Sequence, residues 1–157
     1  MKSYVKAIII FNENGEKRIV PLKQGVNIIT GESKTGKSAL VEIMDYCLCS
    51  TRCTISKGKI TEFSFLYVLV MAISKHTYVI ARQNWENGGK MYLSKESINF
   101  EPETIEIGYF AEMNPLSHKD VKYEIECALG LFVTNMATDG EMQSKRASLR
   151  NMVSYLF

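Results

Sequence analysis

The chain has 157 residues, of which 46% are hydrophobic and 23% charged, and its formal net charge is +2. This composition is typical of a globular protein and argues against disorder over the full length. A chain of this length forms one domain that buries roughly 68–70% of its unfolded surface, so it needs no disulfide or metal to hold a core. The longest apolar run, Phe65–Ile73, is less than half the length of a membrane-spanning helix, so we expect no membrane partner.

The cysteines and the amino terminus indicate the cellular compartment. Cys47, Cys49 and Cys53 lie close together, but no second Cys or His pair follows at zinc-site spacing. The segment Met1–Ala7 lacks the apolar core and cleavage site of a secretory signal. We expect a cytoplasmic protein with reduced, mainly structural thiols, while metal binding and redox sensing stay open.

The first elements in chain order are β-rich. The run Tyr4–Asn12 ends in a turn signal, and Glu16–Val20 resumes the pattern, which predicts a β-hairpin. Pro21 restricts the second strand to a sheet edge. A short apolar strand is predicted at Val26–Thr30, immediately before a glycine-rich loop.

An amphipathic helix is predicted from Lys37 to Cys49, followed by a polar loop at Ser56–Lys59. Its apolar residues recur at the spacing of one buried helix face. They are Leu40, Ile43, Met44, Cys47 and Leu48.

Between Glu62 and Ser74 the pattern permits helix or strand. We prefer strand, because β-branched and aromatic residues dominate and a second β-rich run, Thr77–Arg82, follows. Asn87–Gly89 is a turn signal before a short strand at Met91–Leu93. These strands predict an antiparallel meander set apart from the sheet beside the glycine-rich loop.

The last part of the chain predicts a helix from about Lys119 to Leu131, with Ser117 as its N-cap and Asp120 at the third helical position. A further helix or strand is predicted at Leu149–Phe157. The residues expected to be buried by the first of these helices are Val121, Ile125, Ala128, Leu129 and Phe132.

The segment Gly31–Ser38 matches G-x-x-x-x-G-K-[ST], the phosphate-binding loop or Walker A motif, at every fixed position. Gly31 and Gly36 allow the backbone to approach phosphates closely, and the following helix adds its positive dipole end. We expect Lys37 to reach the β- and γ-phosphates as the catalytic residue, and Ser38 to bind Mg²⁺. The candidate nucleotide-binding residues are Gly31, Glu32, Ser33, Lys34, Thr35, Gly36, Lys37, Ser38 and Ala39.

Hydrolysis additionally needs a carboxylate that positions magnesium, usually at the end of an apolar strand. The run Tyr78–Ala81 leads to Arg82, Asp139 follows a polar stretch, and Asp45 lies about two turns into the predicted helix. No such Walker B strand is found, so we do not expect the chain to hydrolyse ATP well by itself. Lys34 remains open as a solvated charge or an additional phosphate contact.

The basic clusters are weak signals. A solvated surface or an anion- or DNA-binding face would each explain them. They are Lys17 with Arg18, Arg52 with Lys57 and Lys59, and Lys145 with Arg146 and Arg150.

From Val5 to about Arg82 the chain resembles the N-terminal half of an SMC/RecF-like (ABC-type) P-loop ATPase head, particularly those of uncharacterised bacterial SMC-like ATPases. The resemblance depends on the order of an initial hairpin, "GVNIITG", "GESKTGKSALVEIMDYCL" and strands ending in "YVIARQ". It implies an α/β P-loop NTPase fold with a mixed sheet and an antiparallel β meander. Residues 1–157 would then form a partial head domain, with the nucleotide-binding portion at 1–60 and the meander at 61–100.

The family has Asn and Gly where this chain has Ser33 and Lys34. If position 34 needs a positive φ, lysine costs roughly 1–2 kcal/mol there. The "SLRNMVSYLF" segment resembles the stretch leading into the family's Q-loop, but the signature motif, Walker B, switch histidine and coiled-coil arm are not found.

The resemblance implies ATP and Mg²⁺ binding by the Walker A half of a head. It also implies a second ATPase head as partner, as a homodimer or as the C-terminal half. DNA maintenance or defence would be the setting, with DNA as a candidate partner.

Two other classes stay open from the sequence. One is a small P-loop kinase or GTPase-like switch, although neither an arginine-bearing lid nor an [NT]KxD motif is found. The other is a degenerate interaction module whose loop no longer binds nucleotide.

Overall fold

A computed structural model describes residues 3–32 and 36–131 of the chain, which form a mixed α/β structure around one sheet. The strands are β1 (Ser3–Phe11), β2 (Lys17–Pro21), β3 (Leu66–Ile73), β4 (His76–Gln83) and β5 (Met91–Ser97), and the helices are α1 (Lys37–Cys47), α2 (Lys59–Phe63) and α3 (His118–Ala128). Short 3₁₀ turns lie at Trp85–Asn87, Pro102–Thr104 and Ile107–Phe110. Within these ranges, no helix combines the length and apolar character needed to cross a bilayer.

The strands form one antiparallel sheet in the order β2-β1-β3-β4-β5. The predicted hairpin is confirmed as β1 and β2, and the predicted meander is confirmed as β3, β4 and β5. The expectation that the meander is set apart is wrong, because β3 pairs with β1 along its whole length. Ile8 of β1 lies opposite Leu69 of β3, and this pairing joins the two portions into one core.

The strand predicted at Val26–Thr30 is not formed within the described residues. β2 pairs only with Ala7–Phe11 of β1, and the segment 26–29 lines a cleft with Ser3–Val5 of β1 without forming a ladder with it. Val26 is 92% and Ile28 83% exposed. All strand pairings in the described ranges are antiparallel, so the mixed sheet implied by the resemblance is not seen there.

The central strand β3 explains the long apolar run of the sequence. All eight of its residues are buried, and alternate side chains enter two cores on opposite faces of the sheet. Leu69 and Met71 belong to the first core, and Val68 and Val70 belong to the second. The preference for strand over helix is confirmed for Leu66–Ile73. Residues 59–63 instead form α2, which takes in Lys59, expected in a loop.

The first core lies beneath α1 and α3, which pack against β3 and β4 and against β5 respectively. The predicted face of α1 is confirmed, with Ile43, Met44, Cys47 and Leu48 buried and Leu40 partly buried. In α3 the predicted residues Val121 and Ile125 are buried, and Ala128 and Leu129 are partly buried. Phe132 and the element predicted at 149–157 lie outside the described residues.

The N-cap predicted for α3 is confirmed. The hydroxyl of Ser117 accepts a 3.2 Å hydrogen bond from the backbone N–H of Asp120. This is the usual side-chain solution for an otherwise unpaired amide at a helix start.

The second core is covered by the segment 98–113, which two lysines hold against the sheet. The Lys6 Nζ donates a 2.6 Å hydrogen bond to the carbonyl oxygen of Phe100. The Lys17 Nζ donates a 2.9 Å bond to the carbonyl oxygen of Ile105. Both bonds satisfy carbonyl groups that lie in irregular backbone and are not part of a strand pairing.

Candidate functional site

The glycine-rich loop connects the exposed segment 26–30 to the first turn of α1. Gly31 and Glu32 are exposed at its start, and Gly36 is the N-cap residue of α1 at its end. The predicted site residues Ser33, Lys34 and Thr35 lie outside the described residues. The described part of the site therefore consists of the two ends of the loop and the helix that follows.

Gly36 adopts a left-handed backbone conformation, with φ of 85° and ψ of 10°. A Cβ atom at this position would lie 2.7 Å from the Cδ1 atom of Ile60 in α2. Side chains rarely adopt this φ, and the space for one is already occupied. The left-handed backbone therefore favours glycine at this position, and a side chain here would also require the end of the Ile60 side chain to shift.

The side chain of Lys37 turns back from α1 across the loop. Its Nζ donates a 2.6 Å hydrogen bond to the carbonyl oxygen of Gly31 and another to that of Glu32. The two ends of the motif are thus brought together by its lysine. The arrangement fixes a positive charge in front of the helix N-terminus, where the backbone dipoles also favour an anion.

The next two residues complete the first turn of α1. Ser38 is exposed, so its hydroxyl is accessible at the helix start. The N–H of Ala39 donates a 3.1 Å hydrogen bond to the carbonyl oxygen of Gly36. The Ala39 amide therefore closes the first helix turn, and the nucleotide contact expected at Ala39 stays a prediction.

The described residues supply no cluster of metal-binding side chains beside the loop. Across residues 3–32 and 36–131, no three His, Cys, Asp or Glu side chains are placed to hold a metal ion. Glu42 of α1 instead accepts a 3.4 Å hydrogen bond from the backbone N–H of Ser56. A magnesium ion here would depend on Ser38 and on oxygens that its ligand brings.

Three of the four cysteines lie at or just beyond the C-terminal end of α1. Cys47 is fully buried, and Cys49 and Cys53 are half-buried. Burial raises the pKa of Cys49 to about 11 and raises that of Cys47 further. Both thiols are therefore protonated at neutral pH and are poor nucleophiles, because the thiolate is the reactive form.

Two comparisons with known proteins were made. No family model matches the chain, and no curated protein is significantly similar to it. The interpretation of the site therefore depends on the motif and on the geometry at Gly31, Gly36 and Lys37.

Proposed function

We propose that the chain binds ATP with Mg²⁺ through Gly31–Ser38, as the Walker A half of an SMC/ABC-type ATPase head. The observation that carries this proposal is the Lys37 ammonium 2.6 Å from the Gly31 carbonyl oxygen, at the N-terminus of a helix capped by a left-handed Gly36. A lysine, a close-approaching glycine and a helix dipole favour a polyphosphate more than a neutral ligand.

Each described residue has a separate part in this proposal. Gly36 keeps side-chain atoms away from the phosphates, and Lys37 contributes its charge to the β- and γ-phosphates. The Ser38 hydroxyl supplies one oxygen ligand to Mg²⁺, and the phosphates supply others. No carboxylate cluster lies among the described residues, so we expect weak or negligible hydrolysis by the chain alone.

The exposed segment 26–30 supports a partner that completes the head. Val26 and Ile28 are almost fully exposed, and Ile29 is 40% exposed. Apolar side chains in a β-prone run are stabilised when another strand covers them and removes them from water. The partner would be the C-terminal half of a head or a second copy of this chain. DNA as a further partner, and a role in DNA maintenance or defence, follow from the family resemblance alone.

Thermal unfolding with and without ATP·Mg²⁺ tests the proposal. A ligand that binds only the folded state stabilises it by about 2.7 kcal/mol at 100 times its dissociation constant, so the midpoint rises. An unchanged midpoint would favour the alternative of an interaction module without nucleotide. A larger rise with GTP than with ATP would favour the alternative of a GTPase-like switch.

A turnover assay tests the second part of the proposal. We expect purified protein to release negligible phosphate from ATP. Hydrolysis at several per second that disappears in Lys37→Ala would contradict the expectation of a half site.

A further inference from the structure

A cleft of about 430 Å³ lies beside α2 and the turn that follows β4. Small-molecule sites measure roughly 300–1,000 Å³, so the cleft has the volume of a site for one nucleotide-sized group. Its lining includes Arg52, Lys57, Thr61, Asn84, Trp85 and Glu86.

Trp85 is 71% exposed although it is the largest side chain of the cleft. Its support is fixed, because the buried Asn84 side chain donates hydrogen bonds of 3.1 Å and 2.9 Å to the carbonyl oxygens of Thr61 and Ser64. The N–H of Gly88 closes the turn with a 3.1 Å bond to the Trp85 carbonyl oxygen. The indole is therefore presented to solvent from a rigid base instead of packing in a core.

Two cations line the same cleft as this indole. Arg52 and Lys57 are both exposed and both line the cleft, and Glu86 is the one carboxylate among the lining residues. The exposed surface beside Trp85 is thus charged and carries a positive excess. A protein partner that buried Trp85 would have to desolvate these charges, whereas a polyanion would pair with them.

We propose that this cleft binds single-stranded nucleic acid, with one base stacked on Trp85 and adjacent phosphates paired with Arg52 and Lys57. Base–aromatic stacking with a basic groove is the general way in which proteins hold single strands without sequence preference. In a duplex the base faces are stacked on each other, so the indole has no face to contact. The proposal gives a location to the DNA partner of the proposed function, but it does not depend on nucleotide binding at Gly31–Ser38.

The chain itself supplies the probe, because Trp85 is its only tryptophan. Intrinsic tryptophan fluorescence is therefore specific to this cleft. Titration with an unlabelled deoxythymidine oligonucleotide, without ATP, should quench the emission in a saturable way. For two phosphate contacts on a single strand, log K should fall with log salt at a slope of about −1.4.

Variants separate stacking from charge, using a labelled oligonucleotide and fluorescence anisotropy. Trp85→Leu should weaken binding by about fivefold to 100-fold. Arg52→Ala should weaken it and make the salt slope shallower by about 0.7. Glu86→Gln should strengthen it. The control Lys75→Ala removes a charge from the exposed turn at the opposite end of β4, about 24 Å away along the strand, and should leave affinity unchanged.

Three results would overturn the proposal. One is the absence of quenching at oligonucleotide concentrations that saturate general single-strand binders. Another is equal quenching by duplex and single strand. The third is an oligonucleotide affinity that is the same in Trp85→Leu, Arg52→Ala and the control Lys75→Ala. Because all these titrations omit ATP, their failure would leave the thermal test of nucleotide binding unaffected.

Discussion

The guanidinium carbon of Arg82 lies 3.8 Å from the centroid of the Tyr46 ring, and the Arg82 Nη1 donates a 2.8 Å hydrogen bond to the Tyr46 carbonyl oxygen. A second bond, of 2.7 Å, goes to the carbonyl oxygen of Ser50. Arg82 lies in β4 and is only 5% exposed, and Tyr46 lies in the last turn of α1. A cation at a helix C-terminus satisfies carbonyl groups and favours the helix dipole. The contact therefore anchors to the sheet the helix that begins at Lys37.

Replacing this arginine tests its role in anchoring α1. Arg82→Lys keeps the charge but loses the planar group that reaches two carbonyl oxygens and stacks on Tyr46. Losing one charged hydrogen bond costs about 1.5–3 kcal/mol, so we expect a loss of that size in urea unfolding followed by circular dichroism. The matched variant Arg18→Lys, on the exposed edge strand β2, should change stability little. Equal stability of the two variants would contradict the anchoring role.

Gly36→Ala tests whether the motif glycine is required by its backbone and by Ile60. Alanine at φ of 85° should cost about 1–2 kcal/mol, and its Cβ would meet the Ile60 Cδ1 atom. Gly25→Ala is a matched control, since Gly25 has φ of 102° with nothing near the added Cβ. We expect a larger loss of stability at Gly36, and Ile60→Ala should recover part of it. Identical losses at both glycines would show that the contact with Ile60 has no effect.

Lys6 tests how the cover of the second core is held. This residue lies at a β-bulge between Val5 and Ala7, and its Nζ bonds to the carbonyl oxygens of Ile98 and Phe100. Lys6→Met removes these donors and should cost about 2 kcal/mol. Hydrogen exchange should show faster opening of the segment 98–113 than in the parent. Lys75→Met serves as the control. Equal hydrogen exchange of the segment 98–113 in the two variants would contradict the role of Lys6 in holding that segment.

Alkaline pH should destabilise the fold through its buried thiols and phenols. Burial raises the pKa of Cys49 from 9.0 to about 11. It also raises the pKa of Tyr46 from 10.0 to about 12. Below pH 9 both the folded and the unfolded chain hold the Cys49 proton, so this contribution to stability is fully present. As the pH rises toward about 11, the unfolded chain loses that proton first and stability falls.

Urea unfolding at a series of pH values above neutrality measures this effect. Cys49→Ala should make the decline between pH 9 and about 11 shallower, because it removes one of the shifted groups. Gln24→Ala, which changes an exposed residue that does not titrate, is the control and should leave the decline as it is in the parent. A parent protein whose stability is constant over this range would contradict the assigned shifts.

Local patterns predicted much of the fold. The period of Leu40, Ile43 and Met44 identified α1 and its buried face, and Ser117 identified the start of α3. What the patterns could not give was pairing, which depends on distant partners. The segment 26–30 has the composition of a strand, yet it joins none of the strand pairings among the described residues. The same limit applies to the pairing of β3 with β1, because nothing within either run specifies the other.

The candidate site was predictable where a motif fixes chemistry at a fixed spacing. Gly36 has a left-handed backbone at the start of α1 and the Lys37 Nζ contacts the Gly31 carbonyl oxygen, while the phosphate contacts of both residues stay predictions. Arg82 and Trp85 carried no such signal. An arginine in an apolar strand and a tryptophan in a loop acquire their roles from neighbours that only the folded chain brings to them.

Calorimetric titration of ATP·Mg²⁺ into the parent, Lys37→Ala and Lys75→Ala tests the central claim most directly. A charged hydrogen bond to phosphate is worth about 1.5–3 kcal/mol, so Lys37→Ala should bind at least about tenfold more weakly with its fold intact. Lys75→Ala removes the same charge from the exposed turn between β3 and β4 and should bind as the parent does. Equal ATP affinity in the parent and Lys37→Ala would contradict nucleotide binding at Gly31–Ser38.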